Sequence, residues 1–275
     1  MRPRTSRVAV PTGRALPRRT LLKQSLALAG LGIVAAPAWM LPALAADEQI
    51  VPFADMPEHF PLTTGPDRRL IDVRAIDGPF TPAGQFFTMQ HYGHPEVDPA
   101  RFRLAVSGLV ERPLALSLDD LHRMGGAELV AGFECSGNRP PLEGLVGNGR
   151  WTGLPLDAVL HRASVRPSAQ TCVFFGADHG SEDIEWRTQK FTVDQHFGRS
   201  LSRRDLQGAR PFLAYALNGE PLTRHQGAPL RLVVPGWYGV ANVKWLSRIH
   251  LQEDAYLGKY QARWYRTLEG RTLDG

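Results

Sequence analysis

Short stretches of alternating or continuous apolar residues recur along the chain, and most of them predict strands. Phe102–Gly108 alternates apolar and polar residues and ends at a glycine. Leu129–Cys135 predicts a buried strand, because apolar residues dominate it up to the turn residues that follow. Asn218-Gly219 separates two further stretches and is typical of a hairpin turn. The remaining predicted strands are 172–175, 212–217, 230–234 and 243–251.

Two short helices are predicted between these strands. Ser117–Leu121 has the pattern of a helix with a serine N-cap. Leu154–Ala163 begins with Pro155, which suits the first turn of a helix. Its inner apolar face consists of Leu156, Val159 and Leu160. Short strands mixed with isolated helices predict an α+β fold with mixed β-sheets, and not a doubly wound α/β fold.

The N-terminal residues have the pattern of an export signal. Arg18-Arg19 precedes an apolar run over 26–46 that ends in Ala43-Leu44-Ala45, a small-residue cleavage site. The paired arginines are typical of the twin-arginine route, so residues 1–45 are predicted to be a signal peptide and the protein to be periplasmic. A retained membrane anchor is the alternative, because the run is nearly long enough to span a bilayer.

Charge and composition then exclude several functions. The chain of 275 residues carries a net charge of +5, but seven basic and no acidic residues lie in 1–45, leaving 25 basic against 27 acidic residues elsewhere. The body therefore offers no basic surface for nucleic acid. With 43% hydrophobic and 21% charged residues it is an ordinary globular chain, and two cysteines exclude a four-cysteine zinc site.

Cys135 is the residue on which the chemistry depends. It follows a predicted strand and precedes Ser136-Gly137-Asn138-Arg139, so that turn amides and a cation would stabilise a thiolate. A thiolate is a soft metal ligand. Two other interpretations stay open from these residues alone: a buried structural cysteine, or a disulfide with Cys172 in an oxidising compartment.

Several long motifs resemble those of the sulfite oxidase family of molybdopterin enzymes. They occur in the family's order over roughly 80–252. The opening motif is Phe86–His91, and the next is Phe133–Arg139 followed by Gly149–Gly153. The later motifs are Leu213–Leu222, Pro229–Gly236 and Val243–Trp245.

The resemblance implies a molybdenum–molybdopterin cofactor with Cys135 as the thiolate on the metal. It also implies which residues bind the pterin and its phosphate: His91, Asp178, Gln226, Arg231, Asn242, Val243 and Lys244. The cations Arg231 and Lys244 suit a phosphate, because charge-assisted hydrogen bonds are strong. Without the motifs, each of these cations would be taken as a solvated surface charge and His91 as a loop histidine.

The chain departs from the family pattern at three of these motifs. Met89-Gln90-His91 stands where relatives carry Arg-Asn-His, so the sulfite-binding arginine is missing. Phe197 takes the place of the family's active-site tyrosine, and Gln226 that of a histidine in animal sulfite oxidases. An amide can still bind a phosphate, whereas Met has no substitute for a guanidinium. The nearby cations considered as replacements are Arg139, Arg150 and Arg187.

These features predict four parts: the signal peptide, an extended arm over 46–79, the molybdopterin-binding domain over 80–252, and a tail over 253–275 without a complete dimerisation domain. The chain also has no haem motif, so a separate electron-transfer partner is expected, either a cytochrome or a membrane subunit. The predicted function is oxygen-atom transfer on a small, sulfur-containing substrate. The alternative is a catalytically silent exported subunit that binds cofactor or acts as a scaffold.

Overall fold

The computed structural model describes residues 68–71, 76, 78–138 and 144–266 of the chain, and every structural statement concerns those residues. The predicted signal peptide and most of the predicted arm lie outside them, as do Arg139 and residues 267–275. Within them the fold consists of mixed sheets with few short helices, and this part of the fold prediction is confirmed.

The first of two five-stranded sheets has the order β4-β3-β12-β7-β8. Its central strand β12 pairs in parallel with β3 and antiparallel with β7. The sheet therefore mixes both kinds of ladder, and a long hairpin of β7 and β8 forms one side of it. The strands are β3 (Leu104–Gly108), β4 (Leu114–Leu116), β7 (Thr171–Trp186), β8 (Gln189–Ser202) and β12 (Leu246–Gln252).

The second sheet is antiparallel throughout and has the order β10-β9-β6-β5, with β11 also paired to β9. The Asn218-Gly219 turn joins β9 to the two-residue strand β10, while β11 reaches β9 by a longer path. A separate small sheet pairs β1 (Arg68–Arg69) with β2 (Thr88–Met89). The strands of the second sheet are β5 (Ala127–Glu134), β6 (Val146–Pro155), β9 (Phe212–Leu217), β10 (Glu220–Pro221) and β11 (Arg231–Val233).

The described part of the chain has three α-helices: α1 (Leu118–Met124), α2 (Leu156–Ala163) and α3 (Arg203–Ala209). The predicted cap at Ser117 is confirmed, because its hydroxyl accepts from the Asp120 amide, 3.1 Å away. The helix predicted over Leu154–Ala163 begins at Leu156, and Pro155 is its N-cap and the last residue of β6. Three 3₁₀ turns and one π-helical turn complete the helical structure of the described chain: Ala83–Gln85, Arg224–Gln226, Gly239–Ala241 and Lys259–Arg263.

Two strand predictions need correction. Leu129–Cys135 was predicted to be buried, but β5 is the edge strand of its sheet and one of its faces is uncovered, so Val130 is 58% exposed. The strand at 172–175 continues to Trp186, and its partner β8 was missed altogether. In the outer part of this hairpin neither face is buried. Charged residues occur along both strands there, so the alternation of apolar and polar residues that predicts a strand is missing.

The main core joins the two sheets. One cluster of buried residues includes Phe174 and Ile249 from the first sheet together with Leu213 and Leu232 from the second. A second cluster packs Phe86 and Phe87, which precede β2, against Phe133 and Trp151 of the second sheet. Both clusters extend to the ends of the strands. The loops that follow these strands therefore begin from well-packed positions.

Candidate active site

A cavity lies where the loops of the two sheets meet. The space between its lining residues, including the open solvent at its mouth, is about 590 Å³. Five of the seven residues predicted to bind a cofactor line this cavity, and the predicted metal ligand Cys135 lines it as well. The five are His91, Asp178, Arg231, Asn242 and Lys244.

Cys135 lies at the cavity wall immediately after β5. The Gly137 amide donates to its Sγ at 3.5 Å, and the Asn138 amide donates to its carbonyl at 2.9 Å. Both cysteines are free thiols, which excludes the disulfide interpretation. Burial raises the pKa of Cys135 above its ordinary value, against the predicted stabilised thiolate, because desolvation outweighs the single turn amide.

Asn138 holds the Cys135 loop closed. Its side-chain oxygen accepts from the Leu145 amide at 2.9 Å, and its side-chain nitrogen donates to Glu134 at 3.2 Å. The thiol is therefore presented by a turn whose two ends are joined by one side chain.

Arg231 begins β11 and is almost completely buried in the cavity wall. It donates to the carbonyl of Gln226 at 2.9 Å and to that of Asn242 at 3.1 Å. Its guanidinium lies over the rings of Phe133 and Trp151, with centroids at 5.1 Å and 5.0 Å. Burial lowers its pKa to about 9, and its Nε has no hydrogen-bond partner within the described protein.

Lys244 lies in the loop before β12 and supplies the second cation. Its ammonium donates to Thr88 Oγ1 at 3.0 Å, to Gln90 Oε1 at 3.2 Å and to the carbonyl of His225 at 3.2 Å. Burial, and then repulsion by Arg231, lower its pKa to about 7. Two cations thus share one cavity, and a bound anion would relieve their mutual repulsion.

Asp178 lies in an irregular stretch of the β7–β8 ladder, between Phe175 and His179. Such bulges redirect side chains, and Asp178 is buried against the cavity. A Cβ at position 176 would lie 2.1 Å from Asp178 Oδ1, so Gly176 gives this carboxylate its space. Burial raises its pKa to about 7, and Oδ1 has no hydrogen-bond partner among the described groups.

Gln226 and Val243 do not line the cavity. Gln226 accepts from the Thr223 amide at 2.9 Å and donates to the carbonyl of Ala83 at 2.7 Å, so both ends of its amide are bound internally. Val243 belongs to the main core. The structure places Gln226 behind Arg231, where it supplies a carbonyl, and a direct contact of either side chain with the cofactor stays a prediction.

Asn242 has a bracing role at the cavity wall. Its side-chain oxygen accepts from the Val234 amide at 2.7 Å, and its side-chain nitrogen donates to the carbonyl of Tyr238 at 2.9 Å. It therefore fixes the loop whose backbone carbonyl receives Arg231.

Sequence reasoning missed three polar residues that line the cavity: Thr88, Gln90 and Tyr265. Thr88 and Gln90 lie within the opening motif. Their role follows from their hydrogen bonds with Lys244, which only the folded structure shows. Tyr265 lies in the predicted tail. The replacement cations that the sequence indicated, Arg150 and Arg187, do not line the cavity.

The chain is similar in sequence and in structure to known proteins. Residues 91–260 match the family described as the oxidoreductase molybdopterin binding domain. The chain belongs to this family. Mitochondrial sulfite oxidase of Mus musculus is 33% identical over 239 residues, which is 78% of this chain and 42% of that protein. Sulfite oxidase of Gallus gallus is 32% identical over 241 residues, covering 78% of this chain and 50% of that protein.

A solved structure agrees with these relatives. The sulfane dehydrogenase SoxCD from Paracoccus pantotrophus superimposes with a TM-score of 0.62 at 27% identity, over 86% of this chain and 62% of that chain. The resemblance to the sulfite oxidase family is thereby confirmed, and the chain carries the molybdopterin-binding domain of this oxidoreductase family. It spans half or less of the length of the two sulfite oxidases.

The cofactor of this molybdopterin-binding family is molybdenum–molybdopterin, and the cavity fits it. Arg231 and Lys244 are positioned for a phosphate, and the unpartnered Arg231 Nε is a free donor for it. The unpartnered Asp178 Oδ1 is an acceptor for the N–H groups of a pterin ring. The Cys135 thiol would supply a soft ligand for molybdenum, and it would have to lose its proton when the metal binds.

Proposed function

We propose that this chain is the catalytic domain of an exported oxidoreductase that transfers an oxygen atom to or from a small, sulfur-containing substrate. The observation that carries the proposal is the free thiol of Cys135 in the same cavity as the buried cations Arg231 and Lys244. The bound cofactor supplies the two-electron chemistry. When the substrate is oxidised, its new oxygen comes from water, and two protons and two electrons are released; reduction is the reverse.

The cavity favours a neutral substrate over sulfite. Met89 and Phe197 both line it, in the places where the family pattern has an arginine and a tyrosine. Among the described lining residues the cations are Arg231 and Lys244, and both bind protein oxygens within the wall. A neutral organic sulfoxide can bind without a cation of its own in the wall, whereas an oxyanion such as sulfite needs one. The structural neighbour is named a sulfane dehydrogenase, which supports sulfur chemistry.

The proposal includes export to the periplasm and a separate redox partner. Support for export comes from Arg18-Arg19 before the apolar run, and a redox partner is needed because the proposed reaction releases or takes up two electrons. Among the described residues, no helix combines the length and apolar character needed to cross a membrane. Replacing Arg18 and Arg19 together by Lys should abolish periplasmic recovery on cell fractionation. Unchanged recovery would contradict the twin-arginine route.

The proposed activity is tested on protein from a molybdenum-replete host. Metal and pterin analysis should give about one cofactor per chain. Steady-state kinetics with artificial electron donors and acceptors then compare sulfite with an organic sulfoxide, and the sulfoxide should be the better substrate. Efficient sulfite turnover at micromolar concentration would overturn the substrate preference. Full cofactor with no turnover of either compound would favour the silent-subunit alternative.

A further inference from the structure

The segment 258–266 brings Tyr265 to the cavity wall and is hydrogen-bonded to β8. Gln261 bonds Ser200 twice, accepting from its amide at 2.8 Å and donating to its hydroxyl at 2.6 Å. Arg199 donates to the carbonyl of Tyr260. Glu182 on β7 receives Arg263 at 2.6 Å and Lys259 at 3.2 Å. The segment 258–266 therefore packs on the β7–β8 hairpin, whose strand β8 also contains Phe197.

The segment surrounds His91 with aromatic rings. Tyr260 stacks on the imidazole with centroids 4.1 Å apart, and Phe197 lies 5.4 Å away on a nearly parallel plane. The Tyr265 hydroxyl lies 2.9 Å from His91 Nε2. The stacking fixes the orientation of the imidazole, so the hydrogen bond in turn fixes where the Tyr265 oxygen lies.

The protonation states of His91 and Tyr265 decide which proton is available to a substrate. Burial, and then the charges of Lys259 and Lys244, lower the pKa of His91 to about 4. Burial, and then the nearby Cys135, raise the pKa of Tyr265 to about 12. Near neutral pH the phenol is therefore protonated and the imidazole is neutral. In the tautomer that carries its proton on Nε2, the neutral His91 ring donates to the Tyr265 oxygen, and the phenol proton is then free for a substrate oxygen.

Three observations single out Tyr265 among the lining residues. Its backbone has φ 61°, a left-handed conformation that costs energy for a tyrosine and that points to a constrained position. The other lining hydroxyl, that of Thr88, donates to the carbonyl of His225 at 3.0 Å within the wall. Tyr265 is 39% exposed, so its hydroxyl can meet a molecule that enters the cavity.

We propose that Tyr265 is a substrate-contacting residue whose phenol donates a hydrogen bond to the substrate oxygen, positioned by His91. It supplies the hydroxyl that Phe197 cannot supply, and it does so from a different part of the chain. The family match ends at residue 260, so Tyr265 lies beyond the matched residues. The proposal deepens the proposed function and rests on it for the nature of the substrate.

The test uses the cofactor-loaded enzyme and the Tyr265→Phe variant, which removes only the hydroxyl. Losing one hydrogen bond to the substrate should lower kcat/KM for the substrate about tenfold, with unchanged molybdenum content. Tyr238→Phe is the matched control, because Tyr238 is 56% exposed and does not line the cavity. Unchanged kinetics of Tyr265→Phe in an active enzyme would overturn the proposal.

Nuclear magnetic resonance of histidine-labelled protein gives a second readout that does not depend on turnover. The ring nitrogens of His91 should shift in Tyr265→Phe and not in Tyr238→Phe. If the wild-type enzyme is inactive on both sulfite and sulfoxide, the proposed function fails. Shifted His91 resonances still support the Tyr265–His91 pair in that case, and unchanged resonances overturn it.

Discussion

Lys244 Nζ lies 3.0 Å from Thr88 Oγ1, although 156 positions separate the two residues in the chain. The contact ties the loop before β12 to the strand β2 and holds a buried ammonium at the cavity. The same ammonium also donates to Gln90 Oε1. The opening motif, Phe86–His91, therefore helps to position Lys244, in addition to placing Met89 at the cavity wall. Lys244 is thereby positioned before any cofactor binds.

Cys135→Ser should reduce turnover to background and change the spectrum of the bound metal. A hydroxyl is a harder and less donating ligand than a thiolate. The control is Cys172→Ala, because Cys172 is completely buried in the core and does not line the cavity. That variant should keep its activity. A fully active Cys135→Ser enzyme would exclude the ligand role.

Arg231→Met should lower cofactor retention at least about tenfold, since each charge-assisted hydrogen bond is worth roughly 1.5–3 kcal/mol. The measurement is molybdenum and pterin per folded chain after dialysis. Arg248→Met removes the same charge from an exposed residue of β12 and should retain the cofactor. Equal retention in both variants would show that Arg231 is only structural.

Met89→Arg should lower KM for sulfite about tenfold or more, because it restores a cation at the cavity wall. The matched control is Ser181→Arg, which adds the same charge at an exposed position of β7. Steady-state kinetics of both variants decide the matter. No change in Met89→Arg would mean that position 89 does not face the substrate.

Acid should destabilise the cofactor-free protein through His91. Burial lowers its pKa from 6.5 to about 4, so between these values the unfolded chain binds more protons and the free energy of unfolding falls with falling pH. Asp178 acts in the opposite direction, because burial raises its pKa from 3.8 to about 7. The free energy of unfolding of His91→Asn, measured by urea denaturation, should therefore rise relative to that of the wild type as the pH falls from 6.5 to about 4. The same pH profile in variant and wild type would contradict the assignment.

Two glycine substitutions should change stability in opposite directions. A Cβ at Gly153 would lie 1.9 Å from the carbonyl oxygen of Leu213, so Gly153→Ala should lower the free energy of unfolding by about 1–3 kcal/mol. Gly208 lies inside α3 with open space around it, so Gly208→Ala should raise it by about 0.5–1 kcal/mol. Urea denaturation measures both. A neutral Gly153→Ala would mean that β6 and β9 can separate.

Local patterns were sufficient for elements whose buried face or cap lies within a few residues. The Ser117 cap and the strand β9 are examples, because neighbouring side chains determine both. The hairpin β7–β8 was not predictable beyond Phe175, since its strands are held by each other's backbones and not by an apolar face. Likewise Gln226 has the residue type of a ligand, and only its contacts with Thr223 and Ala83 show where its amide is bound.

The sequence by itself determined the family, the α+β class and the thiol and cations of the site, because these depend on residue identity and short-range periodicity. Only the tertiary structure decided which residues share the cavity. Strand register and core packing bring Thr88 to Lys244 and Tyr265 to His91, and withdraw Val243 into the core. Such contacts join residues far apart in the chain, and their geometry follows from the packing of whole sheets, which no local pattern encodes.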